Sequence, residues 1–153
     1  MAARKIETNT TDLIATVEDG VATLTMNRPE RRNALSAAML EALAKTLAEC
    51  ESANDVGVVL LTGAGGAFCA GGDVKGMAEA NAGAAPLDID TRIHRQRLSQ
   101  RATAGRLYEM PKPTIAAIPG AAAGAGLSLA LACDLRIAAD NAVMTTAFAK
   151  VGF

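Results

Sequence analysis

The sequence has no tryptophan, one tyrosine and three phenylalanines in 153 residues, so it lacks an aromatic platform for stacking single-stranded nucleic acid. It has one histidine, His94, and three scattered cysteines, Cys50, Cys69 and Cys133. That set provides neither a disulfide framework nor a CxxC metal site, and a zinc ion would be short of ligands. Charge of one sign is also missing. Fifteen Lys and Arg against sixteen Asp and Glu leave a net charge of −1, which points to neither nucleic acid nor an acidic membrane surface. Residues 1–12 contain Arg4, Lys5, Glu7 and Asp12 but no apolar run, so they read as a flexible N-terminal segment rather than a signal peptide. A reduced, cytoplasmic compartment is expected, with one domain over 13–153.

What is present is apolar mass. Half of the residues are hydrophobic, enough for one sizeable core. Pro113 to Cys133 carries no charge. Pro119, Gly120, Gly124 and Gly126 interrupt it, so a buried strand, a turn and a buried helix explain it better than a membrane span. Leu13–Glu18 and Val21–Met26 read as strands joined by an Asp19-Gly20 hairpin turn. Ser36 is placed to cap a helix carrying Met39, Leu40, Leu43, Leu47 and Cys50. Val56–Thr62 reads as a strand buried on both faces. Further expectations are a short helix near Val74–Ala80, a flexible loop over Asn81–Pro86 and one long helix over Ile89–Met110. Then come a strand over Thr114–Ile118, a helix over Gly126–Cys133 and short strands over Leu135–Ala138 and Ala142–Thr145.

Twice, a buried strand enters a glycine-rich turn that opens a helix, around Gly72 and around Gly124-Ala125-Gly126. Backbone N–H groups at a helix start have no intrahelical partner, and the helix dipole favours negative charge there. Two such turns aimed at one point would supply two donors for a single oxyanion.

These segments also carry a resemblance. Asn27-Arg28-Pro29 with Asn33-Ala34-Leu35, Ala67 through Asp73, Pro119-Gly120 through Gly126, and Ala132-Cys133-Asp134 resemble the crotonase family, the enoyl-CoA hydratase/isomerase group. The match runs over roughly Leu13 to Phe153. It implies an α/β fold, a crotonase-like ββα spiral incomplete at its C-terminus. It also implies an acyl-CoA substrate, with coenzyme A as part of the substrate and no tightly bound cofactor. By position, the N–H groups of Gly72 and Ala125 would form the oxyanion hole. Ala70, Gly72, Asp73, Val74 and Lys75 would bind substrate, with Lys75, Arg31 and Arg32 toward the CoA phosphates. The full-length form would be a homo-oligomer, a trimer or a dimer of trimers.

The departures sharpen the expectation. Hydratases of the family use two glutamates, and the matching positions here hold Ser128 and Phe148. Serine is a poor general base without a partner, and phenylalanine moves no proton. Ser128 stays a candidate for a substrate or water hydrogen bond and is otherwise a small packing residue. The ending Ala147 through Phe153 looks more like the isomerase-type branch, in which a carboxylate just beyond this segment moves the proton. The chain therefore reads as truncated. Asp73 is expected to cap or organise its loop, and His94 to be solvated among Arg92, Arg95 and Arg97. A catalytically inactive CoA-binding fragment or interaction protein is the alternative function. A dinucleotide site is disfavoured, because Phe68 and Leu129 stand where the third glycine of GxGxxG would be.

Overall fold

A computed structural model describes residues 3–76 and 88–148, and structural statements here concern those residues. Arg4–Ile6 (β1), Leu13–Glu18 (β2) and Val21–Met26 (β3) form an antiparallel ladder. The β2–β3 turn has Asp19 at φ 48° and Gly20 at φ 82°. Positive φ at both central residues matches the twist of the flanking strands. Strand β1 lies inside the segment expected to be flexible. Three residues leave no periodic signal, and tertiary partners hold them. Ile6 is buried, while Arg4 donates to Asp55 and Glu49, each at 2.9 Å.

Helix α1, Ala37–Ser52, starts where Ser36 Oγ accepts from the Met39 N–H at 3.0 Å. Its buried stripe, Met39, Leu43, Leu47 and Cys50, is the one its spacing predicts. At its end Lys112 Nζ donates to the Cys50 and Ala53 carbonyls, at 2.7 and 2.6 Å, which satisfies orphan acceptors of the last turn.

The chain then adds parallel strands, Val58–Gly63 (β4) and Thr114–Ile118 (β5). With Leu135–Ala138 (β7) they complete a six-stranded sheet ordered β1-β2-β3-β4-β5-β7. A second, two-stranded sheet pairs Ala122–Ala123 (β6) with Met144–Thr145 (β8). The expected strand over Val56–Thr62 is shifted and is not buried on both faces. Val59 and Leu61 are buried while Val58 and Leu60 are half-buried, so the burial alternates as it does in β2.

Between β4 and β5 run Ile89–Gln100 (α2), a π-helical turn over Arg101–Gly105, and Arg106–Glu109 (α3). The expected single helix over Ile89–Met110 is thus interrupted. The wider turn re-phases its faces. Nothing in α2 is buried, whereas Thr103 and Leu107 reach the core. Helix α4, Ala125–Ala132, follows β6 directly. The charge-free run 113–133 is therefore divided among β5, β6 and α4. Among the described residues, no helix is long and apolar enough to cross a membrane. The expected loop over Asn81–Pro86 lies outside them, as does most of the helix expected near Val74–Ala80, of which residues 74–76 are helical.

Candidate functional site

The stretch that follows β4 is stitched to the stretch that follows β5. Phe68 and Cys69 both donate their N–H groups to the Ala121 carbonyl, at 3.0 and 3.1 Å, and Ala123 donates to the Cys69 carbonyl at 2.9 Å. Cys69 pairs with Ala122 as an isolated bridge. This stitching brings the two glycine turns together. At Gly71 φ is +93°, and a Cβ there would lie 2.9 Å from the Ala123 carbonyl oxygen and 3.4 Å from the Ala125 nitrogen. Glycine is needed on both counts, conformation and space.

Gly72, one residue on, pairs with Leu35 in a parallel bridge. In that bridge Leu35 donates to the Gly71 carbonyl at 2.8 Å and accepts from the Asp73 N–H at 3.3 Å. The bonds are made by the residues flanking Gly72, so Gly72's own N–H faces away from Leu35. Its carbonyl accepts from Val74 at 3.0 Å. Among the described residues, neither the Gly72 N–H nor the Ala125 N–H meets a protein acceptor. Ala125 is the first residue of α4, entered through Gly124 at φ 51° and ψ −126°, so its N–H is an orphan of the helix start. Two unpartnered donors thus sit on adjoining turns. Cys69, buried beside them, has its thiol pushed up to about 11 by burial and stays neutral near pH 7.

A shallow groove of about 380 Å³ runs from Gly72 past Asp73, Val74 and Lys75 to Arg31 and Arg32. The Arg31–Arg32 turn is held there because the Arg32 carbonyl accepts from the Ala70 N–H at 2.9 Å. Arg31, Arg32 and Lys75 therefore line one groove, together with Glu30, next to Gly72 and its open N–H. Asp73 is already engaged. Its Oδ1 accepts from the Gly76 N–H at 3.0 Å and its Oδ2 from Arg28 at 2.9 Å. The Gly76 N–H, with Arg28 after it, holds this carboxyl below the usual aspartate range. A depressed folded value means that the stabilisation is present above the unfolded value of about 4 and fades only as pH falls below it. Asp73 is a loop organiser in this geometry.

Ser128 is not the small packing residue that its sequence position suggested. It is exposed on α4, and its hydroxyl donates to the Gly124 carbonyl at 3.3 Å. That bond to the residue four back is local and available to any helical serine. Phe148 lies at the same end, since a Cβ on Gly124 would be 3.9 Å from its ring. His94 is exposed on α2. Residues 149–153, which complete the isomerase-like ending, lie outside the described residues.

Asn33 and Arg28, motif residues in the sequence, have structural roles that their spacing does not reveal. Asn33 is fully buried. It accepts from the Arg28 N–H at 2.9 Å and donates to the Ala64 and Ala67 carbonyls at 2.8 and 2.9 Å, clamping the loop after β4. Arg28 joins Asp12, Ala34 and Asp73. A buried-polar signal exists only in three dimensions, because Asn33 sits in a polar turn. Asn33→Ala leaves three backbone groups unpaired, and chemical denaturation should register a loss of about 2–4 kcal/mol.

The enoyl-CoA hydratase/isomerase family model matches residues 16–153. The chain is similar to the 1,2-epoxyphenylacetyl-CoA isomerase of Escherichia coli, 42% identical over 140 residues that cover 92% of this chain and 52% of that protein. It is also similar to the 4-chlorobenzoyl coenzyme A dehalogenase-2 of an Arthrobacter species, 39% identical over 88% of this chain and 47% of that one. Among solved structures, an enoyl-CoA hydratase/isomerase from Xanthobacter autotrophicus superposes with a TM-score of 0.79 at 37% identity, over 87% of this chain and 48% of that one. The chain spans about half the length of the curated relatives it matches.

Proposed function

Since the chain belongs to the enoyl-CoA hydratase/isomerase family, we propose that it binds an acyl-CoA thioester and stabilises its enolate with the N–H groups of Gly72 and Ala125. The observation that carries this reading is the junction of the two glycine turns, with Gly71 against Ala125 and both neighbouring donors open. When a proton leaves the carbon next to a thioester, negative charge moves to the carbonyl oxygen. Fixed donors at that oxygen need no reorganisation as the charge develops, which is why they favour the transition state over the ground state. Arg31, Arg32 and Lys75, which line the groove with Glu30 and Asp73, support a CoA ligand, whose phosphates need cationic partners. Asp73 and Val74 line the same groove, and Ala70, two residues before Gly72, is assigned to substrate binding by its position in the motif. Coenzyme A enters as part of the substrate, with no tightly bound cofactor, and the protein is proposed to assemble as a trimer or a dimer of trimers.

Double-bond or ring isomerisation fits better than two-glutamate hydration. Ser128 has its hydroxyl turned to Gly124, and Phe148 offers no proton. A CoA-binding protein without turnover is the second reading, favoured by the same two residues. With crotonyl-CoA, the enoyl absorbance should stay constant in the presence of the 153-residue chain, because missing acid–base help typically costs about 100- to 10,000-fold. Efficient hydration that Ser128→Ala abolishes would reverse this assignment.

Calorimetric titration tests ligand class directly. An acyl-CoA thioester should bind and raise the melting temperature, since ligand at about 100 times its Kd adds about 2.7 kcal/mol to the folded state. NAD should do neither. A folded sample that binds no acyl-CoA would contradict the proposal.

A further inference from the structure

Building on that oxyanion reading, we propose that Arg28 is a positioning residue, whose guanidinium locks the Gly72 N–H against the start of α4. Arg28 donates through Nη1 to the Ala34 carbonyl at 2.7 Å and to Asp73 Oδ2 at 2.9 Å. Those two contacts lie on either side of the Leu35–Gly72 bridge, one residue from each bridging partner. One planar group therefore spans both strands of the short ladder that orients Gly72. Its other face is fixed as well. Nε lies 3.5 Å from Asp12 Oδ2, and the same oxygen accepts from Ser36 Oγ at 2.5 Å. Ser36 caps α1, so the chain of contacts runs from a rigid helix start to the residue after the donor.

The pair is shielded, with the Arg28 and Asp73 side chains only 15% and 12% exposed. Exposed pairs are averaged by solvent and hold little geometry, whereas a shielded guanidinium held on several acceptors at once fixes direction. Charge points the same way. The Asp73 carboxylate sits one residue beyond the donor, where an unpaired negative charge would oppose a forming oxyanion. Arg28 neutralises it. Lysine would keep the charge but, with a single nitrogen, could not hold Ala34 and Asp73 through one donor and Asp12 through another.

The test reads polarisation separately from binding. A conjugated dienoyl thioester of CoA absorbs at longer wavelength when donors pull charge onto its carbonyl, so the shift per bound molecule reports the alignment of the N–H groups. The unmodified 153-residue chain should bind this probe with a clear red shift. In Arg28→Gln the shift should fall below about half while Kd changes by less than about threefold, the signature of a misaligned donor rather than a lost contact. Arg28→Lys should fall between the two. An undiminished shift per bound molecule in Arg28→Gln, at whatever melting temperature, would make the arginine merely structural and overturn the proposal. If Arg28→Gln does not fold, Asp73→Ala reads the same coupling. It removes the acceptor on the loop arm while leaving Arg28 on Ala34, and a full shift there overturns the proposal equally. Binding by the unmodified chain without any red shift would instead sink the oxyanion reading itself, and is recorded before any variant is made.

Discussion

In a catalytically active form of this protein, Gly72→Pro should lower kcat on the order of 100- to 1000-fold, with acyl-CoA affinity little changed. Proline removes one N–H and nothing else that the fold uses at this atom. The Gly72 nitrogen has no acceptor among the described residues, and the Leu35 ladder runs through Gly71 and Asp73. No backbone bond is therefore lost from the folded state. Gly72 is not among the residues with positive φ, so it does not occupy the left-handed region that proline cannot adopt. The lost donor matters where charge is greatest, in the enolate, and much less for the neutral thioester. Kinetics should accordingly show a fall in kcat and kcat/KM together. A variant that keeps its turnover would remove Gly72 from the mechanism. Melting curves close to the parent protein would show that the loss is not one of folding.

The second large effect is on stability. Gly126→Ala, in the first turn of α4, is expected to cost about 3 kcal/mol or more, at the upper end of overpacking substitutions. For a chain of this size that is a melting temperature lower by about 6–12 °C. Alanine is the better helix former, by about 1 kcal/mol, so propensity alone predicts stabilisation. Packing reverses the sign. A Cβ at Gly126 would lie 2.6 Å from Cys69 Cβ and 2.7 Å from its sulfur, and closer still to the Cys69 carbonyl oxygen. The side chain could yield, but that carbonyl accepts the Ala123 N–H and belongs to the stitching between the two turns. Cys69→Ala should therefore recover only a fraction of the loss. Full recovery, or an unchanged melting temperature in the single variant, would mean that α4 and the stretch around Cys69 are less closely packed than the geometry requires. Because these contacts also set the spacing of Ala125 from Gly71, the same substitution should blunt the red shift of a bound dienoyl-CoA.

Local rules were sufficient for much of the fold. The Asp19-Gly20 hairpin, the Ser36 cap and the buried stripe of α1 stand where the residues placed them, since turn conformation, capping and a 3.6-residue period are all decided within a few neighbours. Strand β1 and the π-helical turn at Arg101–Gly105 were invisible for the complementary reason. Each is held by distant partners, β1 by Asp55 and Glu49, and the π turn by the need to bring Thr103 and Leu107 into the core. Ser128 shows the same limit, because its exposure depends on what covers α4, which its own spacing does not encode.

For the site, the sequence by itself determined which atoms are available. Two glycine turns, each opening a helix, offer free N–H groups because helix starts leave donors unpaired, and the motif order carried the family. Only the tertiary structure decided that these donors adjoin. The bonds from Phe68 and Cys69 to Ala121 close a separation of more than fifty residues, and no local rule predicts which segments far apart in the chain will pair. The same holds for Arg28 and Asp73, forty-five residues apart. They are ordinary charged letters in the sequence and a shielded ion pair in the fold, where desolvation makes their geometry matter.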